Sequence, residues 1–547
     1  MNRLDPLHVV MFSSEAFPYV KVGGLADVVG TLPKKLTKLG AKVTVVIPAY
    51  KAIHHGKHGI HPYEPIPGFD IIMGSGFTHA EIFHTQVPGT DINVFFVGCL
   101  DYFYRDGIYD DPLWKEAYLD NMERYIFFMK AGLELVERLG WPIDVIHCHD
   151  WQTSLIPGLI QTNLKNHSFF SQVGTLLTVH NVAYQGIFPR EALYRTGIDS
   201  RLFYPLSPFE YWGKVNFLKV GIVFSDLINA VSETYAREIQ SSFEYGYGLE
   251  GVLRNRKDDL SGIVNGIDYE EWNPETDTWI PAHFSARDLS GKAVCKSELL
   301  KYFGLPQSSG SIPLIGIVSR LAEQKGFDLI EQAIGEIAEL ELQMAVLGTG
   351  QQKYQDILQH IAERYPQKIA VKIGFDNKLA HHIEAGCDMF LMPSKYEPCG
   401  LNQLYSLRYG TAPIVRATGG LADTVVNYDL YTDTGTGFSF TDYSAKEMLI
   451  AIKRALIIHS DPQRWEELVV RDMSQDWSWE RSAARYMALY EKVRQKREPL
   501  ALSAATVGEF SGGSATPRRP RAAKPQPKAS RRGAGDAEKK QDTDERR

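Results

Sequence analysis

The chain has 547 residues, 44% of them hydrophobic, which is ample for a core and favours at least two domains. A formal net charge of −7 argues against a nucleic-acid binder, and no apolar run reaches the length that spans a bilayer. The five cysteines, Cys99, Cys148, Cys295, Cys387 and Cys399, are scattered without a C-x-x-C pair, which points to a reducing cytoplasm.

The first strand is expected at His8–Phe12, so near the start that no signal or transit peptide is expected before it. KVGGLADVVG follows, Lys21 to Gly30. Gly23 and Gly24 let a backbone approach a ligand, and the N–H groups of the helix start attract anions. Asp27 falls in that helix start, where a carboxylate suits the dipole. Further strands are expected at Val43–Ile47, Asp144–His147, Gly174–Val179 and Leu227–Ala230. All are apolar runs without polar alternation, as in strands buried on both faces. HHGKH (His54–His58) and the His147-x-His149 pair before Asp150 hint at metal ligands, but neither has a clear set of partners, so no metal is expected. Asp150 and Trp151 better suit a sugar cleft, the tryptophan by stacking. His180, at the mouth of Gly174–Val179, reads as a polar contact to a reacting group.

A turn-rich junction, NGIDYEEWNP, lies within or just past Ser261–Asn273, so the first domain is expected to cover 1–262 and the second 263–475. In the second, Ile312–Val318 is expected to run out just before Arg320, with Lys325 opening the next helix. Two cations at a strand's C-terminal end beside a helix N-terminus suit a diphosphate. Strands Gln343–Leu347, Ile369–Ile373, Met389–Met392 and Ala412–Val415 follow. After Met389–Met392, PSKYEPCGLNQLYSLRYG places Glu397 in a loop and starts a helix near Gly400 or Leu401. A carboxylate there can hydrogen-bond sugar hydroxyls or face a developing cation, and the N–H groups of Cys399, Gly400 and Leu401 suit phosphate or hydroxyl oxygens. Cys399 reads as a small packing residue, with a low-pKa thiolate as the alternative.

GGLAD then returns as Gly419–Asp423, again where a loop is expected to enter a helix, with Asp423 in the helix start. One copy alone reads as a tight turn; two copies, one per half, favour a shared cleft approached from both sides. No G-x-x-x-x-G-K-[ST] and no G-x-G-x-x-G occurs, so a nicotinamide cofactor is not indicated, and no D-x-D occurs before the tail to chelate a divalent ion. A helix over 476–499 is expected to cross back to the first domain. The tail 500–547 carries 11 Lys/Arg against 6 Asp/Glu and one aromatic, a composition expected to stay disordered. Altogether the pattern is α/β: two Rossmann-like doubly wound domains facing an interdomain cleft.

Taken together, KVGGLADVVGTLP, HCHDWQTS, TVHNVAYQGIF, VNGID, VSRLAEQKG, PSKYEPCGLNQLYSLRYG and TGGLADTV resemble the bacterial glycogen synthase and plant starch synthase family, over about His8 to Arg494. The resemblance implies a GT-B fold, no cofactor, and transfer of glucose from ADP-glucose to the non-reducing end of glycogen or another α-1,4-glucan, with retention. It also implies that Lys21, beside Gly23 and Gly24, contacts the donor phosphates while Arg320 and Lys325 hold the diphosphate. By the same resemblance Glu397 contacts the donor glucose, His180 stabilises charge near the anomeric carbon and Asp150 lies by a sugar. Thr418, Gly419 and Gly420 would complete the phosphate cradle. Many retaining relatives carry a second glutamate eight residues after the first; here that position is Tyr405, which leaves the ribose contact unassigned.

Overall fold

The computed structural model describes residues 6–114, 116–307 and 312–497. The basic tail expected over 500–547 lies outside them. Each half is built around one sheet. In the first, parallel strands run in the order Leu260–Gly262, Leu227–Ala230, Gly174–Val179, Val145–His149, His8–Phe12, Lys42–Pro48, Asn93–Gly98. The second places Ile369–Ile373, Gln343–Gly350, Leu314–Leu321, Met389–Met392, Ala412–Arg416 and Phe438–Phe440 side by side, all parallel. These strands are largely apolar because helices cover both faces; His8–Phe12 and Met389–Met392 are buried at every position.

Counted along the chain within each half, both sheets share one order. The third strand lies beside the second, the second beside the first, then come the fourth, fifth and sixth. The order reverses between the first and fourth strands, and in such sheets ligands bind at the strand C-termini at that reversal. In the first half this point lies between His8–Phe12 and Val145–His149; in the second, between Leu314–Leu321 and Met389–Met392.

The first sheet also extends beyond Asn93–Gly98 through antiparallel strands at Gly76–Gln86, His61–Pro62 and Gly68–Met73. This part escaped the sequence reading, which sought continuous apolar runs; Gly68–Met73 alternates buried and exposed residues, the mark of a sheet with one solvated face. In the second half the first strand runs on to Leu321, so Arg320 sits on the strand and not after it.

The last helix, Trp479–Arg497, packs on the helix Gly24–Lys38 and on the strand Gly174–Val179 of the first sheet. Ile267 and Ser478 form a parallel bridge where the chain passes between the halves in each direction. No helix among the described residues is long and apolar enough to cross a membrane.

Candidate active site

Two adjoining cavities, of about 320 and 560 Å³, open where the reversal points of the two sheets face each other. Both are lined by Gly23, Gly24, Arg320, Lys325, Glu397 and Gly400. Leu401 also lines both, Lys21 only the smaller, and Asp150, His180 and Cys399 only the larger. Residues nearly four hundred positions apart in sequence thus share one space.

At its centre Lys325 Nζ donates to Glu397 Oε2 at 2.5 Å, and Ser394 Oγ donates to the same oxygen at 3.1 Å. A glycine makes this pairing possible. Gly326 has φ +76°, and a Cβ there would lie 2.0 Å from the Pro393 carbonyl oxygen. The loop carrying Lys325 therefore runs directly against the loop that leads to Glu397. Arg320 is exposed, and among the described residues its guanidinium has no ion-pair partner. It is a full positive charge at a strand end, facing open cleft. Lys21 bonds Asp27 Oδ1 at 2.7 Å, so its ammonium rests on the helix start behind its own loop.

Asp150 has φ +54°, a left-handed conformation that costs most residues about 1–2 kcal/mol. The bend turns its carboxylate back across the sheet, where Oδ1 accepts the His180 N–H at 2.7 Å and the Asn181 N–H at 3.4 Å. Burial pushes the Asp150 carboxyl up to about 7, against the pull of those two N–H groups. His180 is held neutral: burial lowers it to about 3, and its Nε2 lies 2.9 Å from Nδ1 of His149. The His147 ring is committed elsewhere, to Tyr490 Oη at 2.9 Å and Thr178 Oγ1 at 2.7 Å. Both ring nitrogens of His147 are thus spent on internal hydrogen bonds, whereas Nε2 of His149 is buried without a partner among the described residues. Burial raises the Cys399 thiol to about 12, so it is a packed thiol and not a thiolate nucleophile. The following helix starts at Asn402, one residue beyond the expected range.

Three expectations are corrected. Thr418, Gly419 and Gly420 are buried and line neither cavity. Their donors are taken: Thr418 Oγ1 and the Gly419 N–H go to Glu238, and the Gly420 N–H to the Glu397 carbonyl at 3.1 Å. Gly419 has φ +47°, and a Cβ there would sit 2.0 Å from that carbonyl oxygen. The second GGLAD therefore supports the Glu397 loop from behind, because backbone packs where the ligand was expected. Asp423, placed by the sequence at a helix start, lies near the end of the short helix Gly419–Thr424 and accepts the Thr234 N–H at 2.8 Å. Each of two helices, Glu233–Glu238 and Gly419–Thr424, thereby caps the other across the halves. Trp151 is 9% exposed, edge-on to Tyr125 at 5.0 Å and packed on Phe188, so it builds the cavity wall from the core side instead of standing as an open stacking surface.

Glu15 was missed altogether. It is buried three residues beyond the strand His8–Phe12, and Oε2 accepts the N–H groups of Val22 at 2.5 Å and Gly23 at 2.9 Å. Tyr109 Oη donates to its other oxygen at 2.6 Å. The anion that the first glycine turn attracts is, in this structure, the chain's own carboxylate. The signal was a glutamate at the C-terminal end of the strand beside the reversal point.

The starch synthase catalytic domain family matches residues 8–255, and the glycosyl transferases group 1 family matches 307–468. The chain is 45% identical to the glycogen synthase of Koribacter versatilis over 500 residues, covering 90% of this chain and 100% of that one. It is 43% identical to the glycogen synthase of Geotalea daltonii, again over 90% of this chain and 100% of that one. Among solved structures it superposes on the catalytic domain of starch synthase IV from Arabidopsis thaliana, bound to ADP and acarbose. That match has a TM-score of 0.82 and 33% identity over 90% of this chain and 100% of that one. The paired reversal points, the cation and carboxylate between them, and these likenesses place the chain in the glycogen synthase and starch synthase family of GT-B glycosyltransferases.

Proposed function

We propose that this glycogen/starch synthase takes glucose from ADP-glucose and adds it to the 4-hydroxyl at the non-reducing end of an α-1,4-glucan, retaining the α configuration. The observation that carries this is the Lys325–Glu397 pair, with Arg320 in the same cavities and without an ion-pair partner among the described residues: cations for a diphosphate and a carboxylate for a sugar in one space. The solved starch synthase IV, bound to ADP and acarbose, supports a nucleotide donor and a glucan-like acceptor.

In this reading Arg320, Lys325 and the N–H groups of Cys399 to Leu401 hold the diphosphate, joined by Lys21 once its ammonium leaves Asp27. The bond from the anomeric carbon to the phosphate oxygen breaks first. The acceptor 4-oxygen then bonds to the same face, and its proton passes to the departing phosphate. Glu397 faces the positive charge on the donor ring, neutral His180 hydrogen-bonds near the anomeric carbon, and Asp150 accepts from a sugar hydroxyl. No metal or cofactor is called for. The work is assigned to the cytoplasm, in keeping with five unpaired, buried thiols. Release of ADP and of UDP from the two glucose donors, with and without glycogen, tests the reading. ADP release that depends on glycogen is expected; equal or faster UDP release would overturn the donor assignment.

Asp150 brings a pH dependence. It ionises near pH 7, while His180 stays neutral throughout the neutral range. The ionised form is the better acceptor for a hydroxyl, so kcat/KM should rise with pH through about 7. That limb should vanish in Asp150→Asn. A limb that persists there belongs to another group.

A further inference from the structure

Leu113 and Trp114 stand 85% and 77% exposed on the turn of a small hairpin, and Leu119 just after it is fully exposed. Single exposed apolar residues are ordinary, but a tryptophan and two leucines within seven positions are not. The hairpin's strands pair Asp110 with Ala117 and Asp111 with Glu116. Asp110 and Ala117 also line the larger cavity of the cleft, so Leu113 lies within about 10 Å, three residues along an extended chain, of the cavity wall.

The hairpin is held firmly at its base. The fully buried Arg124 donates to the carbonyls of Tyr102 at 2.8 Å and Ile108 at 3.1 Å. Asn121 Nδ2 donates to the Tyr109 carbonyl at 2.9 Å, and Arg105 pairs with both oxygens of Asp120 at 2.9 Å. Within the turn, Asp111 Oδ1 accepts the N–H groups of Leu113 at 2.8 Å and Trp114 at 3.4 Å. A side chain displayed from backbone bonded in this way loses little freedom on binding.

We propose that this turn is an outer platform for the acceptor polymer: Trp114, flanked by Leu113, takes the apolar face of a glucose unit several positions back from the reacting end. The identity of the polymer rests on the transfer reading above. Two observations select it. The strands that carry the turn contribute Asp110 and Ala117 to the wall of the larger cavity, so a chain long enough to pass out of that cavity on this side meets it. The segment 106–117 also carries Asp106, Asp110, Asp111 and Glu116 against Lys115, a negative balance that disfavours nucleic acid or an anionic lipid surface and leaves a neutral, hydroxyl-rich chain unopposed.

The test compares acceptors of different length. Trp114→Ala should raise KM for glycogen about five- to tenfold, with kcat and KM for a three-glucose acceptor unchanged, and Trp114→Phe should restore most of the loss. Migration through native gels containing glycogen, without donor, reads binding alone, and the retardation of Trp114→Ala should be markedly weaker. Unchanged glycogen KM and unchanged retardation would overturn the platform. So would equal losses on short and long acceptors, which would make the hairpin a prop for the cleft. If the unaltered chain transfers no glucose yet Trp114→Ala still loses retardation, the transfer reading fails and the platform stands.

Discussion

Glu397→Gln should lower kcat by about 10²–10³-fold with a much smaller change in KM. If the donor bond breaks before the acceptor bond forms, positive charge grows on the sugar ring as the reaction proceeds. A carboxylate held beside the ring then gains interaction energy chiefly in the transition state, which is the condition for raising kcat. The structure adds a second consequence. Glu397 Oε2 is bonded to Lys325 Nζ at 2.5 Å, so removing the charge also frees the lysine. Lys325→Gln should therefore lower kcat and weaken ADP binding, because bound ADP already presents the phosphates. The double variant should lose much less than the two single losses combined, since each single change already disables the pair. Steady-state kinetics and ADP calorimetry on the three variants measure this. An effect of Glu397→Gln confined to KM would remove its transition-state role, and intact ADP affinity in Lys325→Gln would remove the lysine from the diphosphate.

Arg320→Gln should cost about 10²-fold in ADP affinity and leave thermal stability within about 0.5 kcal/mol of the unaltered chain. Its guanidinium is exposed and has no ion-pair partner among the described residues, so folding gains nothing from it that the variant would lose. Lys325 differs, because its loss leaves the largely buried Glu397 carboxylate without its counter-charge. A melting curve and an ADP titration separate the two cations: Arg320→Gln should move only binding, Lys325→Gln both. A clear fall in melting temperature for Arg320→Gln, with ADP affinity kept, would make Arg320 a structural residue.

The parallel strands and the cleft were legible in the sequence because each depends on local signals. Strands buried on both faces are largely apolar, and a buried strand with Arg320 near its end, or one that stops just before Asp150 or a few residues before Glu397, presents that polar residue at the sheet's C-terminal edge. The partners of those residues were not legible. That Glu15 fills the first glycine turn, Glu238 the second, and that Lys325 reaches Glu397 are contacts settled when loops and sheets dock, across 8, 181 and 72 positions of sequence. The repeated GGLAD shows where the line falls. It follows the first strand in one half and the fifth in the other, so the copies hold different places in the same topology. The sequence by itself determined that each copy would be a glycine turn entering a helix, because that conformation depends on the missing side chains. Only the tertiary structure decided what fills the space they leave. Beside Gly23, whose N–H is taken by Glu15, no atom lies within 4 Å of a would-be Cβ and that side faces the cleft, whereas beside Gly419 the Glu397 carbonyl lies at 2.0 Å, backbone packed where no side chain fits.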